Sequence, residues 1–143
     1  IIWQTGLSYY EKAKSFVYAS GAQCIKVYSF IKEMDQAYAA ADIIVSRSGA
    51  IAIAELCCVG KPVILVPSPH VAENHQYKNA QSLVNKNAAL LVEDAKSNCK
   101  LVDVIIDLLQ DEDLKCNLVD NIKNIAVKDA ADRIASAALS LVK

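Results

Sequence analysis

No run of lysine or arginine occurs in this sequence of 143 residues, whose 15 basic and 16 acidic side chains are spread along the chain for a net charge of −1. A phosphate backbone is held by clustered positive charge, so nucleic acid is excluded as the expected partner. No apolar stretch approaches the roughly 20 residues of a membrane-spanning helix, and runs such as Ile43-Ile44-Val45 and Val63-Ile64-Leu65-Val66 are strand-sized. A signal peptide, an internal repeat, a linker and a low-complexity segment are all missing. The cysteines Cys24, Cys57, Cys58, Cys99 and Cys116 are odd in number and contain no CxxC pair, which argues against a disulfide framework and a zinc site. Their apolar sequence neighbours predict small buried hydrophobes in a reducing cytoplasm. His70 and His75 lie five residues apart, a poor spacing for one helix face, with no third histidine or cysteine beside them, so no metal is expected there. An initiator methionine is also missing. Ile1-Ile2-Trp3-Gln4-Thr5-Gly6 reads as a strand already under way and closed by a glycine turn, so the chain is expected to be a fragment truncated at its N-terminal side.

What is present is an apolar fraction of 54%, much of it Ala, Ile, Val and Leu, a composition suited to buried parallel strands under Ala-rich helices. Apolar runs at 1–4, 24–28, 43–46, 63–66 and 89–92 read as strands. Helical patterns fall between them at 8–20, 34–40, 50–59 and 74–85. From about residue 96 to 143 the pattern is purely helical, with Leu101, Ile105 and Leu108, then Leu114, Leu118 and Ile122, then Ile134, Ala138 and Leu139 at helical spacing. The alternation calls for right-handed crossovers and a parallel sheet with helices on both faces. The expected fold is therefore a Rossmann-like α/β domain over about residues 1–95 with a helical tail.

In such folds ligands bind beyond the carboxyl ends of the strands, and three of those ends are chemically distinctive. At Ser46-Arg47-Ser48-Gly49-Ala50 a strand ends in small polar residues and a glycine opens a helix. The N–H groups of a helix start lack intrahelical partners and carry the positive end of the dipole, which suits a phosphate; an ordinary N-cap explains the pattern equally well. Glu55 lies on that helix with Ile51 and Val59 four residues to either side. It reads either as a carboxylate for a ribose diol or as a solvated surface charge. The second end leads to His75, Gln76 and Asn79, which share a helix face offering donors and acceptors without net charge, as sugar hydroxyls or plain solvent require, while Tyr77, Ala80 and Val84 face the core. At the third, Phe30, Ile31 and Met34 could border a flat base or belong to the core.

Taken together, Phe30-Ile31 with Met34, Ala41-Asp42, Ser46-Arg47-Ser48-Gly49-Ala50, Glu55-Leu56, Gly60-Lys61-Pro62, Pro67, His75-Gln76 and Asn79-Ala80 resemble, in order and spacing, the C-terminal domain of the MurG-type glycosyltransferases. The blocks around Ser48–Glu55 and His75–Ala80 are specific, and the resemblance loosens after about Glu93. That family has two Rossmann-like domains facing across a cleft, the glycosyltransferase B arrangement. It transfers N-acetylglucosamine from UDP-GlcNAc to lipid I, giving lipid II for peptidoglycan, at the cytoplasmic side of the bacterial inner membrane.

The resemblance implies donor binding by this chain and acceptor binding by an N-terminal domain that also carries the catalytic base. By motif position it implies that the Ile31 backbone pairs with uracil beside Phe30 and Met34, and that Ser48, Gly49, Ala50 and Ile51 form the phosphate-facing helix start. Glu55 holds the ribose, and His75 and Gln76 face the sugar with Asn79 supporting them. Two departures stand out. Ala52 replaces a frequent hydroxyl residue at the diphosphate, and the family's Gly-rich loop is absent from residues 1–143. The Asp111-Glu112-Asp113 run lies in the helical tail and no DxD motif stands at the three strand ends to hold a metal, so transfer is expected to need neither metal nor cofactor.

Three other readings fit parts of the pattern. A separately encoded donor-binding subunit pairing with a membrane partner has the missing methionine and first loop against it. A UDP-GlcNAc epimerase of related fold matches the His75–Ala80 block less well. A non-enzymatic receiver-type domain needs an acidic cluster at the strand ends, where Gln4, Ser46 and Ser68 stand instead.

Overall fold

A computed structural model describes residues 1–142. They run β1 (Ile2–Gln4), α1 (Leu7–Ser20), β2 (Lys26–Tyr28), α2 (Met34–Ala40), β3 (Ile44–Ser46), α3 (Ala50–Val59), β4 (Val63–Leu65), α4 (His75–Val84), β5 (Leu90–Leu91), α5 (Ser97–Gln110), α6 (Glu112–Ile125) and α7 (Ala130–Leu141), with 3-10 turns at Ala72–Asn74 and Asp94–Lys96. Every strand pairing is parallel, and helices connect the paired strands. The α/β, Rossmann-like character expected from the sequence is present. The chain divides into two compact units, Ile1–Ala41 and a second beginning at Asp42.

In the first unit β1 and β2 pair with Trp3 opposite Val27. Beyond the pairing, Thr5 donates to the Tyr28 carbonyl from both its N–H (2.9 Å) and its hydroxyl (3.2 Å). Ala13 is the only buried hydrophobic side chain described in this unit.

The second unit carries the larger core. Its sheet has the order β3-β4-β5, and Val63, Ile64 and Leu65 of the central strand are completely buried, as expected where both faces are covered. Ile64, Val66, Val92, Leu108 and Leu118 form one cluster, with Leu101, Ile105 and Leu114 packed against it. The helical spacing read in the tail is thus the spacing of a core-facing stripe for α5 and α6. Their corner is held by Lys115, whose ammonium donates to the Leu109 carbonyl (2.9 Å) and pairs with Glu112 (2.6 Å). The Asp111 carboxylate caps α6 by accepting from the Leu114 N–H (2.8 Å), one of the donors a helix start leaves unpaired. α7 is different: it has no buried residue, and Ile134 and Leu139 are 70% and 72% exposed. Helix α7 thus presents apolar surface at Ile134 and Leu139.

Two expectations need correction. The cysteines are not generally buried: Cys57 is, but Cys24, Cys58, Cys99 and Cys116 are exposed. An apolar neighbour in sequence points about 100° away on a helix, so Cys58 faces out beside an inward Cys57. Helix α4 starts one residue later than expected, because Glu73 (φ 52°) and Asn74 (φ 55°) are both left-handed. Asn tolerates that conformation and Glu does so at a cost.

α3 ends where a side chain would collide. Gly60 is left-handed (φ 66°), its N–H bonds to the Leu56 carbonyl (3.0 Å), and a Cβ there would lie 2.8 Å from the Lys123 side chain of α6.

Candidate functional site

The loop from β3 to α3 is where the second unit gathers its polar side chains. Ser46 closes β3, and Gly49 precedes the first helical residue, Ala50. No side chain caps α3. Gly49 is not there for its conformation, since φ −64° and ψ 150° suit any residue. A Cβ added to Gly49 would stand in open space, with no atom within 4 Å. Ala50 and Ile51 are exposed beside it, Ile51 by 85%. Uncapped N–H groups with room in front of them and a favourable dipole form an anion-receptive surface.

The loop is held from beneath by a fully buried serine. Ser48 donates its hydroxyl to the Gln76 carbonyl (2.8 Å), and its own carbonyl accepts from the Asn79 side-chain amide (3.1 Å). The Gln76 side-chain oxygen accepts from the Ser68 N–H (2.9 Å). Three segments are thereby laced together: the β3–α3 loop, the loop after β4 and the first turns of α4. These bonds assign mechanical parts to residues read as ligand contacts. The Ser48 side chain points inward, Asn79 braces the Ser48 carbonyl, and the Gln76 carboxamide holds Ser68 through its oxygen. His75 is exposed, with Nδ1 2.8 Å from the Ala72 carbonyl, a contact made by the Nδ1–H tautomer as donor. Glu55 is exposed on α3 just over one turn beyond Ala50.

The remaining expected residues belong to the first unit. Phe30 is 70% exposed, while Ile31 and Met34 are half-buried. The Ile31 N–H, expected to read a base, donates to the Gln4 side-chain oxygen at 2.7 Å. A base can use that N–H only in exchange for the Gln4 carboxamide.

Sequence reasoning passed over Arg47. One guanidinium nitrogen donates both to the Val66 carbonyl (3.1 Å) and to the Asp94 carboxylate (2.5 Å). It joins residues 19 and 47 positions away, and nothing in local spacing announces either partner. Close by, Lys96 pairs with Glu93 (2.8 Å), and that hydrogen bond holds its ammonium above the usual lysine range.

A shallow groove in the first unit, lined by Tyr10, Lys14, Val17, Tyr18, Gln23 and Val27 among others, contains none of the expected residues. Among the described residues no group of three or more His, Cys, Asp or Glu side chains is placed to hold a metal ion. No helix there is long and apolar enough to cross a membrane.

The family described as "Glycosyltransferase family 28 C-terminal domain" matches residues 1–134. A protein of Parabacteroides distasonis named UDP-N-acetylglucosamine–N-acetylmuramyl-(pentapeptide) pyrophosphoryl-undecaprenol N-acetylglucosamine transferase is 43% identical over 142 residues, covering 99% of this chain and 39% of its own length. One of the same name from Flavobacterium psychrophilum is 46% identical over 143 residues, covering 100% of this chain and 38% of its own length. The chain thus spans about two fifths of the curated relatives it matches. Among solved structures, Acinetobacter baumannii MurG superposes with a TM-score of 0.85 at 24% identity, over 99% of this chain and 41% of that one. The kitacinnamycin glycotransferase superposes at 0.60 and 17% identity, over 94% and 42%. At those identities the likeness is one of fold.

Proposed function

Because the chain belongs to glycosyltransferase family 28, as that family's C-terminal domain, we propose that it binds the sugar-nucleotide donor of a reaction that moves N-acetylglucosamine from UDP-N-acetylglucosamine to lipid I, giving lipid II. Residues 1–143 serve as the donor domain in this reading. Acceptor binding and the catalytic base are supplied by sequence outside them, and the protein works as a peripheral enzyme at the cytoplasmic side of the bacterial inner membrane.

The observation that carries the reading is the start of α3. Its N–H groups lack a side-chain cap, the space before Gly49 is open, and buried Ser48 fixes the loop. In the transfer an acceptor oxygen forms a bond to the anomeric carbon as the bond to the diphosphate breaks and UDP departs. Negative charge grows on the leaving diphosphate, and oriented N–H groups at Ala50 and Ile51 stabilise it without reorganising. Ala52 adds no hydroxyl, so the backbone carries this role alone, with no metal. Glu55 accepts from the ribose hydroxyls, and His75 and Gln76 meet the sugar, Gln76 through its amide nitrogen. Ser48 and Asn79 keep the loop in place, and Gly49 leaves room for the diphosphate. For Phe30, Ile31 and Met34 the proposed role is the uracil end of the donor.

Glu55 provides the test. Two hydrogen bonds from a ribose diol to a carboxylate are charge-assisted, and their loss in Glu55→Ala should weaken UDP binding about ten- to hundredfold. Alanine is a better helix former, so the fold should persist. Titration calorimetry with UDP and with 2′-deoxy-UDP reads the outcome. Wild type should bind the deoxy nucleotide weakly, and the variant should bind both alike. Unchanged UDP affinity in Glu55→Ala sinks the assignment.

A further inference from the structure

We propose that Arg47 and Asp94 act as a pair of positioning residues that hold the β3–α3 loop in its donor-binding form; this rests on the donor-site reading above. Arg47 lies immediately after β3 and two residues before Gly49. Val66 follows β4, and Asp94 opens the 3-10 turn that comes after β5. One nitrogen of one guanidinium therefore ties together the carboxyl ends of all three strands of the second unit's sheet, the edge along which open α/β sheets receive ligands.

The backbone ladder already stops there. The last rungs are Val66 N–H to the Ser46 carbonyl (2.9 Å) and Val92 N–H to the Leu65 carbonyl (2.9 Å). Beyond them only side chains keep the loops in register. Ser48, Gln76, Asn79 and Ser68 lace the β3–α3 loop to α4 and the loop after β4 on the buried side. Arg47 does the equivalent on the other side, where it is 55% exposed and Asp94 31%.

An exposed ion pair adds little to global stability, because solvent screens it and ordering two side chains costs entropy. This pair is half exposed, so its expected effect is on loop geometry more than on the folding equilibrium. The carboxylate also decides where the guanidinium goes. Asp94 neutralises it and holds it against Val66, so that Arg47 acts on an anion at α3 through the backbone it fixes and makes no contact of its own.

The experiment is a double-mutant cycle in the native full-length protein, with Arg47→Lys, Asp94→Asn, the double variant and Asp94→Glu. UDP affinity is read by calorimetry at low and high salt, and melting temperature is read in parallel. Lysine keeps the charge, but its side chain is one atom shorter, so the ammonium falls short of the point from which the Arg47 nitrogen meets both the Val66 carbonyl and the Asp94 carboxylate. Each single variant should bind UDP about three- to tenfold more weakly. The double variant should be no worse than either single, as residues acting as one unit require. Asp94→Glu should recover most of the affinity, 1 M salt should shrink the difference between wild type and Asp94→Asn, and melting temperatures should stay within about 2 °C. Full UDP affinity in Asp94→Asn overturns the proposal. So does an Arg47→Lys loss of the same factor with and without Asp94, which would mean that Arg47 touches the donor directly. So does a fall in affinity that simply follows melting temperature. Failure of wild type to bind UDP at all removes the donor-site reading, and this inference with it.

Discussion

Cys57 and Cys58 are adjacent in sequence and opposite in environment. Burial pushes the Cys57 thiol above its ordinary pKa, the neighbouring Cys58 thiol adds to the rise, and the Lys86 ammonium opposes it. Thiolate is the reactive form, so iodoacetamide at mildly alkaline pH should label Cys24, Cys58, Cys99 and Cys116 well before Cys57. Peptide mass mapping over a time course decides this, and labelling of Cys57 at the rate of Cys58 would contradict it. The sign for stability follows from linkage. A raised pKa in the folded state gives a contribution that is complete below the unfolded thiol's pKa. It is lost as pH climbs through that value toward the folded one, because the unfolded chain ionises first. The Cys57 contribution to unfolding free energy should therefore be flat at neutral pH and decline only in the alkaline range, a decline that Cys57→Ala removes.

Helices α6 and α7 have similar apolar spacing and different fates. Leu118 of α6 is 2% exposed within the core cluster, whereas Ile134 of α7 is 70% exposed. Leu118→Ala should lower unfolding free energy by about 2–5 kcal/mol, as cavity-forming substitutions do. Ile134→Ala should change it by no more than about 0.5 kcal/mol, and denaturant titration separates the two. Periodicity says that one face is apolar; it does not say whether anything covers that face. The same limit explains what the sequence made legible. Helices α2 and α3 match their expected bounds; α3 carries its own stop signal in the left-handed Gly60, whereas Ala41 supplies none. Strand cores were legible too, although β5 pairs over two residues where four were expected. The left-handed pair Glu73-Asn74 was not, since no glycine marks it. At the site, the residues of the β3–α3 loop and α4 could be named from pattern, but the direction of the Ser48 hydroxyl could not. Neither could the Arg47–Asp94 pair, because both depend on contacts between distant segments.

At the scale of the whole molecule the core is unevenly distributed. The first unit contributes Ala13 alone to the buried hydrophobic set, and the rest belong to the second unit, from Ile44 to Ile122. Local opening is cheapest where few apolar contacts must be broken. Amide hydrogen exchange should therefore be fast at Ile2–Gln4 and Lys26–Tyr28, and slowest at Val63–Leu65 and around Leu108, Leu118 and Ile122. Equal protection of the two sets would show that buried apolar area does not govern opening here.

Helix α3 can finally be viewed as a beam. It is about 15 Å long at the standard rise. Its far end is built in, with Leu56, Cys57 and Gly60 buried and the Lys123 side chain seated against Gly60. Its near end, Ala50 and Ile51, projects into solvent. A rod clamped at one end is a cantilever, and thermal jitter displaces its tip most, which here is the end that meets an anion. Ser48 and Arg47 supply a second support just ahead of that tip. A beam held at both ends stiffens without becoming any heavier, and the helix start keeps its aim while its N–H groups stay uncovered.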